Sequence, residues 1–175
     1  MKLKKNMHEY SVLISECQKH VIDGKKISKN NAAKLFNIER SFLDELTLAA
    51  NVITRHFHGT KVDVEELTNI KKNYCSEDCS FCSQSAFFNT KIDDYQLPEP
   101  AEIVKQAKQA KNDGATSFCL VAAWREPSKL DFDKVCNIIL EIKKSVNISI
   151  ECSLGFLTYQ QAKKLKDLGV KRYNH

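Results

Sequence analysis

The chain has 175 residues, of which 42% are hydrophobic and 28% are charged, and its formal net charge at pH 7 is +5. This composition excludes a disordered tail and predicts a soluble globular protein, and the spread of lysines among acidic residues argues against a nucleic-acid partner. No apolar run approaches the roughly 18 residues that cross a membrane, and the basic start is not followed by the apolar stretch of a signal peptide, so we expect a cytoplasmic protein without a membrane partner.

Residues 1–60 are predicted to form a helical N-terminal extension. Apolar residues recur there at the spacing of one helix face. The clearest run consists of Phe42, Leu43, Leu46, Ala50, Ile53 and Phe57. From residue 61 the pattern changes, and we assign residues 61–175 to a second domain.

The second domain alternates predicted strands with predicted helices. The strand candidates are residues 67–73, 116–124, 147–154 and 170–175. Strands that alternate with helices imply parallel βαβ units, so the fold class is α/β, and the strand spacing is that of the first half of a (β/α)₈ TIM barrel. A full barrel needs about 250 residues. We therefore expect a partial barrel and interpret the chain as a fragment, with an apolar interior and a strand edge that reduce its solubility.

Three of the seven cysteines are spaced C-x₃-C-x₂-C in one predicted loop, at Cys75, Cys79 and Cys82. An odd cysteine count without a secretory signal favours metal or redox chemistry over disulfides. Three thiolates that converge on an iron–sulfur cube leave one iron open for a ligand. The alternative is a structural zinc site, which normally takes four ligands in two pairs. No second pair follows, so we favour the iron–sulfur cluster.

This spacing, with an aromatic residue before the last cysteine, resembles the signature of the radical S-adenosylmethionine (SAM) superfamily. Longer segments resemble the biotin synthase family, in the family's order: residues 73–86, 118–125, 152–155 and 172–175. The resemblance implies that Cys75, Cys79 and Cys82 hold a 4Fe–4S cluster whose open iron binds SAM. The reduced cluster then cleaves SAM to methionine and a 5′-deoxyadenosyl radical. Biotin synthases use this radical to insert sulfur into dethiobiotin, the last step of biotin biosynthesis.

The resemblance also assigns roles to residues of the predicted strands. Cys119 and Cys152 lie one βα unit apart, and we expect both to point into the same space inside the barrel. In biotin synthases, cysteines in these positions hold a 2Fe–2S cluster that donates sulfur. The resemblance further implies cofactor-binding residues near SAM or the substrate: Phe81, Ala122, Trp124 and Asn174. Family members are usually homodimers that receive electrons from flavodoxin or ferredoxin.

Three other readings stay open at this point. Another branch of the superfamily, such as the maturases of hydrogenase assembly or the enzymes of pyrrolysine synthesis, shares the cysteine signature. The 175-residue chain could instead be a non-catalytic fragment that binds a cluster, because a complete barrel needs further strands. A basic nucleic-acid-binding module is the third reading, and it predicts retention on DNA that depends on salt.

Overall fold

A computed structural model describes residues 2–93, 95 and 97–175 of the chain. The chain divides into two compact units, one ending at Val62 and the other covering Asp63–His175. Among the described residues, no helix combines the length and the apolarity that crossing a bilayer requires.

The first unit is helical. It comprises α1 (Lys2–Ile22), α2 (Lys29–Phe36), a short 3₁₀ helix (Arg40–Phe42) and α3 (Leu43–His58). Its small core is formed by Ile14, Phe42 and Ala49. A hydrogen bond of 2.9 Å from the Ser11 hydroxyl to Glu45 joins α1 to α3. The predicted helical character of this region is confirmed.

The described residues of the second unit form four strands and three helices. In chain order they are β1 (Glu65–Lys71), α4 (Pro100–Asn112), β2 (Ser117–Ala122), α5 (Lys129–Ser145), β3 (Ser149–Ser153), α6 (Tyr159–Asp167) and β4 (Arg172–Tyr173). The strands form one sheet in the order β1-β2-β3-β4, and every neighbouring pair is parallel. The α/β fold and the partial barrel are therefore confirmed, with strand ends that differ from the predicted ones by a few residues.

Local signals in the sequence explain where these helices begin. Pro100 occupies the first turn of α4, where its missing N–H is not needed. The Ser128 hydroxyl accepts a hydrogen bond from the backbone N–H of Asp131 and caps α5. Thr158 and Gln161 form a reciprocal capping box at the start of α6, as their spacing predicts.

The core of the second unit lies between the sheet and its helices. Helix α5 contributes a buried stripe of apolar side chains: Phe132, Val135, Cys136, Ile138, Ile139 and Ile142. Every second residue of β2 and β3, and the residue that follows β3, joins the same cluster: Phe118, Leu120, Ala122, Ile150, Cys152 and Leu154. The other face of the sheet is therefore the one that corresponds to the interior of a barrel.

Alanine substitutions at two adjacent positions of α5, Ile139 and Leu140, test this packing. Ile139 is fully buried, whereas 41% of Leu140 is exposed. We expect Ile139→Ala to lower the free energy of unfolding by about 3 kcal/mol, because it leaves a cavity in the core. Leu140→Ala is the matched control and should cost less than about 1 kcal/mol. Urea denaturation followed by circular dichroism measures both, and equal losses would contradict this account of the core.

Candidate functional site

The loop that follows β1 carries the cysteine motif, and Asn73 fixes its entry. Asn73 and Tyr74 both have positive φ angles, 60° and 52°, which cost free energy in any residue but glycine. Asn73 is buried, and its amide group donates to the Ile92 carbonyl at 2.7 Å and accepts from the Tyr74 N–H at 2.9 Å. Its own N–H donates to the Gln84 side chain at 2.6 Å. These bonds hold the strained turn from which the loop departs.

Backbone hydrogen bonds fold the cysteine motif into a compact loop. The Cys82 N–H donates to the Cys79 carbonyl at 2.9 Å, which closes a turn between the last two cysteines. Cys75 is paired with the far end of the loop, because its N–H donates to the Gln84 carbonyl at 3.0 Å and its carbonyl accepts from Ala86 at 2.9 Å. All three predicted ligands thus lie in one loop that follows β1.

The thiols of this loop are accessible. Cys79 is exposed, and Cys75 and Cys82 are half-buried, with none of them in a disulfide. Their number, softness and access fit an iron–sulfur cluster held by three protein ligands. Within the described part of the chain, no three His, Cys, Asp or Glu side chains are already drawn together in a metal-binding arrangement, either here or inside the barrel. The fit of the three cysteines to an iron–sulfur cluster therefore rests on the chemistry of their thiols and on their position in one folded loop.

Exposed aromatic side chains border the cysteines. Phe81 is 94% exposed, and Tyr74 and Phe87 are also exposed. Large apolar side chains that stand out from a loop indicate a surface that binds something. The structure leaves Phe81 free to contact a ligand of the cysteine loop, and its assignment to SAM stays a prediction.

The loops that follow β1, β2 and β3 are tied to one another at the carboxyl ends of the strands. An ion pair joins Arg125, after β2, to Glu77 of the cysteine loop. The Trp124 indole N–H donates to the Leu154 carbonyl at 2.6 Å, and the Phe156 N–H donates to the Arg125 carbonyl at 2.8 Å. In parallel α/β folds this end of the sheet is where ligands bind.

Gly155 is the point of closest approach between two of these loops. Its φ is +71°, and a Cβ placed there would lie 2.2 Å from the Arg125 carbonyl oxygen. No side chain fits at that distance. In the sequence, this glycine stood out only as part of residues 152–155, which resemble the biotin synthase family. The requirement for glycine could not be predicted, because it arises from contact with Arg125, 30 residues away in the chain.

Cys119 lies in β2, on the face of the sheet that does not carry the helices. It is 2% exposed and is absent from the helix-side core cluster. Burial raises its pKa to about 12. The negative charges of Glu65 and Glu151 and a hydrogen bond that the thiol donates to Glu65 add to the increase, while a hydrogen bond from Asn174 opposes it. The interior beside this thiol is therefore acidic and polar.

Cys152 does not face the same space as Cys119, and the prediction that it does is wrong. The parallel register pairs Cys119 with Glu151, and pairs Cys152 with Leu120. Register partners of parallel strands point to the same face, and adjacent residues point to opposite faces. Cys152 is fully buried in the cluster between the sheet and the helices. The Cys119–Cys152 pair therefore does not fit one cluster in this sheet.

The remaining predicted residues lie near the same end of the sheet. Ala122 is the last residue of β2, and Trp124 follows it in the loop. Asn174 follows β4, and its N–H donates to the Cys152 carbonyl at 2.9 Å. The structure brings Asn174 close to Cys119, whereas the pattern of the sequence did not connect them.

Glu151 is the interior residue that sequence reasoning missed. Only 3% of the residue is exposed, and its carboxylate forms an ion pair with the Arg172 guanidinium at 3.1 Å. A glutamate inside the strand predicted at residues 147–154 was the available signal, since acidic side chains are rarely buried without a partner.

Comparisons with known proteins identify the family of this chain. The radical SAM superfamily description matches residues 69–175. A protein named biotin synthase from Nitrosopumilus maritimus (strain SCM1) is 64% identical over 162 residues, which cover 93% of this chain and 50% of that protein. Biotin synthase from Cenarchaeum symbiosum (strain A) is 53% identical over the same length, with the same coverage. The chain thus spans about half the length of these relatives.

Two solved structures share the fold. The crystal structure of methylornithine synthase aligns with a TM-score of 0.72 and 22% identity, covering 89% of this chain and 45% of its own. A maturase of the FeFe-hydrogenase aligns with a TM-score of 0.70 and 18% identity, covering 98% of this chain and 39% of its own. Both coverages match the partial barrel described above.

Gly155→Ala tests the contact between the loops. We expect it to lower the free energy of unfolding by more than about 3 kcal/mol, because the new Cβ overlaps the Arg125 carbonyl. Gly114→Ala is the matched control: its φ of +93° imposes backbone strain of about 1 kcal/mol, but no atom lies within 4 Å of the new Cβ. Urea denaturation compares the two, and similar losses would argue against a tight approach at Gly155.

Thiol alkylation tests the two cysteine environments. In metal-free protein at pH 8, we expect iodoacetamide to modify Cys119 at least about 100-fold more slowly than the exposed Cys79, because the thiolate is the nucleophile. The rate at Cys119 should rise about ten-fold per pH unit until the pH approaches its pKa of about 12. Peptide mass spectrometry measures both rates, and equal rates would show that Cys119 is open to solvent.

Proposed function

The chain belongs to the radical SAM superfamily, and we propose that the full-length protein is a biotin synthase, a sulfurtransferase that converts dethiobiotin to biotin. The observation that carries this proposal is the 64% identity to a protein of that name over 93% of the chain. An aligned stretch of 162 of the 175 residues includes the cysteine loop and the strands β2 and β3 that follow it.

Cys75, Cys79 and Cys82 would hold a 4Fe–4S cluster in this proposal. When bound, such a cluster supplies the electron that cleaves SAM reductively. The residues of this chain hold the cysteine loop in position. Asn73 and Gln84 fix the cysteine loop, and the Arg125–Glu77 ion pair fastens that loop to the next one. This support matters because a loop that carries three ligands holds them in place only if its own backbone is held.

Nearby side chains would line the space for SAM and the substrate. Phe81 stands out beside Cys82, and its backbone would lie near the adenine of SAM. Ala122 and Trp124 would lie beside the methionyl group, where the indole is oriented by its bond to the Leu154 carbonyl. Asn174 would contact ligands in the interior, next to Cys119.

The finer parts of the proposal concern partners. The substrate would be dethiobiotin, the electron donor a flavodoxin or ferredoxin, and the assembly a cytoplasmic homodimer without nucleic acid. The sulfur atom would come from a second iron–sulfur cluster, of the 2Fe–2S type. The maturase and pyrrolysine branch shares the fold at 22% identity or less, and identity at that level carries no argument about activity.

The proposal is tested with the full-length gene product, reconstituted anaerobically with iron and sulfide. We expect it to form biotin from dethiobiotin when SAM and a reductant are supplied, with biotin measured by mass spectrometry. Cys79→Ala should reduce biotin formation at least about 10³-fold, because the cluster loses a ligand. Cys136→Ala is the matched control: it also removes a thiol, but one packed in the helix-side core, and it should keep activity.

Two results would contradict the proposal. The first is uptake of one zinc and no inorganic sulfide, which indicates a structural zinc site. The second is equal biotin formation by the Cys79→Ala and Cys136→Ala proteins, which would remove the cysteine loop from the chemistry.

A further inference from the structure

We infer that Glu151, not Cys152, is the residue of β3 that would join Cys119 in holding an iron–sulfur group inside the barrel. The inference rests on the proposed function, because only that function calls for a second cluster. It departs from the expectation of two cysteine ligands from β2 and β3. The sheet register carries it: Cys119 and Glu151 are direct partners across the two strands.

One row of side chains crosses the interior face of the sheet. The row consists of Leu67, Cys119, Glu151 and Arg172. The Arg172–Glu151 ion pair, at 3.1 Å, is a side-chain contact within this row. The adjacent row points to the helices, as the 2.6 Å hydrogen bond from Thr68 of β1 to Gln106 of α4 demonstrates. Cys152 belongs to the second row.

Moving Cys152 to the interior would require β3 to slip by one residue. A slip of that size turns every side chain of a strand to the other face. Here it would bring Ile150 and Leu154 out of the helix-side core and bury Glu151 among apolar side chains. Burying an ionised carboxylate in such surroundings costs several kcal/mol in proteins. The register is therefore fixed against the slip.

The surroundings of Cys119 suit a cation. Two carboxylates lie on the same face of the sheet as the Cys119 thiol: Glu151 is its register partner on β3, and Glu65 lies on β1, two residues before its register partner Leu67. The positive charge of an iron-bearing group stabilises a thiolate and carboxylates together. Cys119 would release its proton to solvent on binding, and Glu151 would bind through a carboxylate oxygen. Carboxylates are established iron ligands in proteins, alongside thiolates and imidazoles.

The interior site is best measured without the cluster of the exposed loop. The test therefore uses the full-length protein with Cys75→Ala, Cys79→Ala and Cys82→Ala together, reconstituted anaerobically with iron and sulfide. Iron and sulfide are counted per chain, and visible absorption reports the ligands. We expect this background to bind about two irons. Adding Glu151→Gln should weaken iron binding by at least about ten-fold, since even changes one shell further out cost that much.

Two cysteine variants serve as controls in the same background. Cys152→Ala and Cys136→Ala each remove a buried thiol from the helix-side core. Both should keep the iron count and the absorption spectrum of the background. Glu151→Cys serves as a second variant in case Glu151→Gln does not fold. It should keep the bound iron and add absorption from a new thiolate-to-iron bond. An unchanged spectrum would overturn the inference. Circular dichroism checks the fold of each variant.

The failure of this inference differs from the failure of the proposed function. If Cys152→Ala loses the iron while Glu151→Gln keeps it, the inference is overturned and the second cluster stands. If the wild-type protein holds about four irons and the triple-alanine background holds none, no second cluster exists. That result overturns the proposed function and the inference together.

Discussion

The parallel register of β1 to β4 is the constraint on which the placement of the site depends. Because all four strands run in one direction, their carboxyl ends meet at one edge, and the loops that leave them become neighbours. Because side chains alternate along each strand, the register also decides which residues meet on each face. The helices cover one face with an apolar cluster, and the other face carries Cys119, Glu151 and Arg172.

The second feature of the site is how its loops are held. The cysteine loop leaves β1 through two residues with positive φ, and Asn73 stabilises that turn with three hydrogen bonds of its main-chain and side-chain amides. The next two loops are joined by the Trp124–Leu154 bond and by the close approach at Gly155. Strained and closely packed backbone at one end of a sheet is typical of sites that position a reacting group.

The interior face combines groups that rarely occur together in a strand. A buried thiol has a raised pKa, a buried glutamate lies beside it, and an arginine pairs with the glutamate. Glu151 is buried while the side chain of Arg172 is 64% exposed, so the ion pair contributes little to stability once the cost of removing the Glu151 charge from water is counted. Hydrophobic residues of similar size would pack there at least as well. The arrangement is thus better explained by what it can bind than by what it stabilises.

The sequence by itself determined the α/β class, the helical first region, the order of strands and helices, and the three cysteines of the loop. These follow from local rules: hydrophobic period, capping residues, and the spacing of ligands that one loop can bring together. Only the tertiary structure decided three further points. Cys119 pairs with Glu151, Cys152 lies on the helix side of the sheet, and position 155 requires glycine. Alternation within one strand fixes which residues share a face of that strand, but the relative phase of two strands is set by their register. That register is fixed by core packing between segments about 30 residues apart, which no local pattern contains.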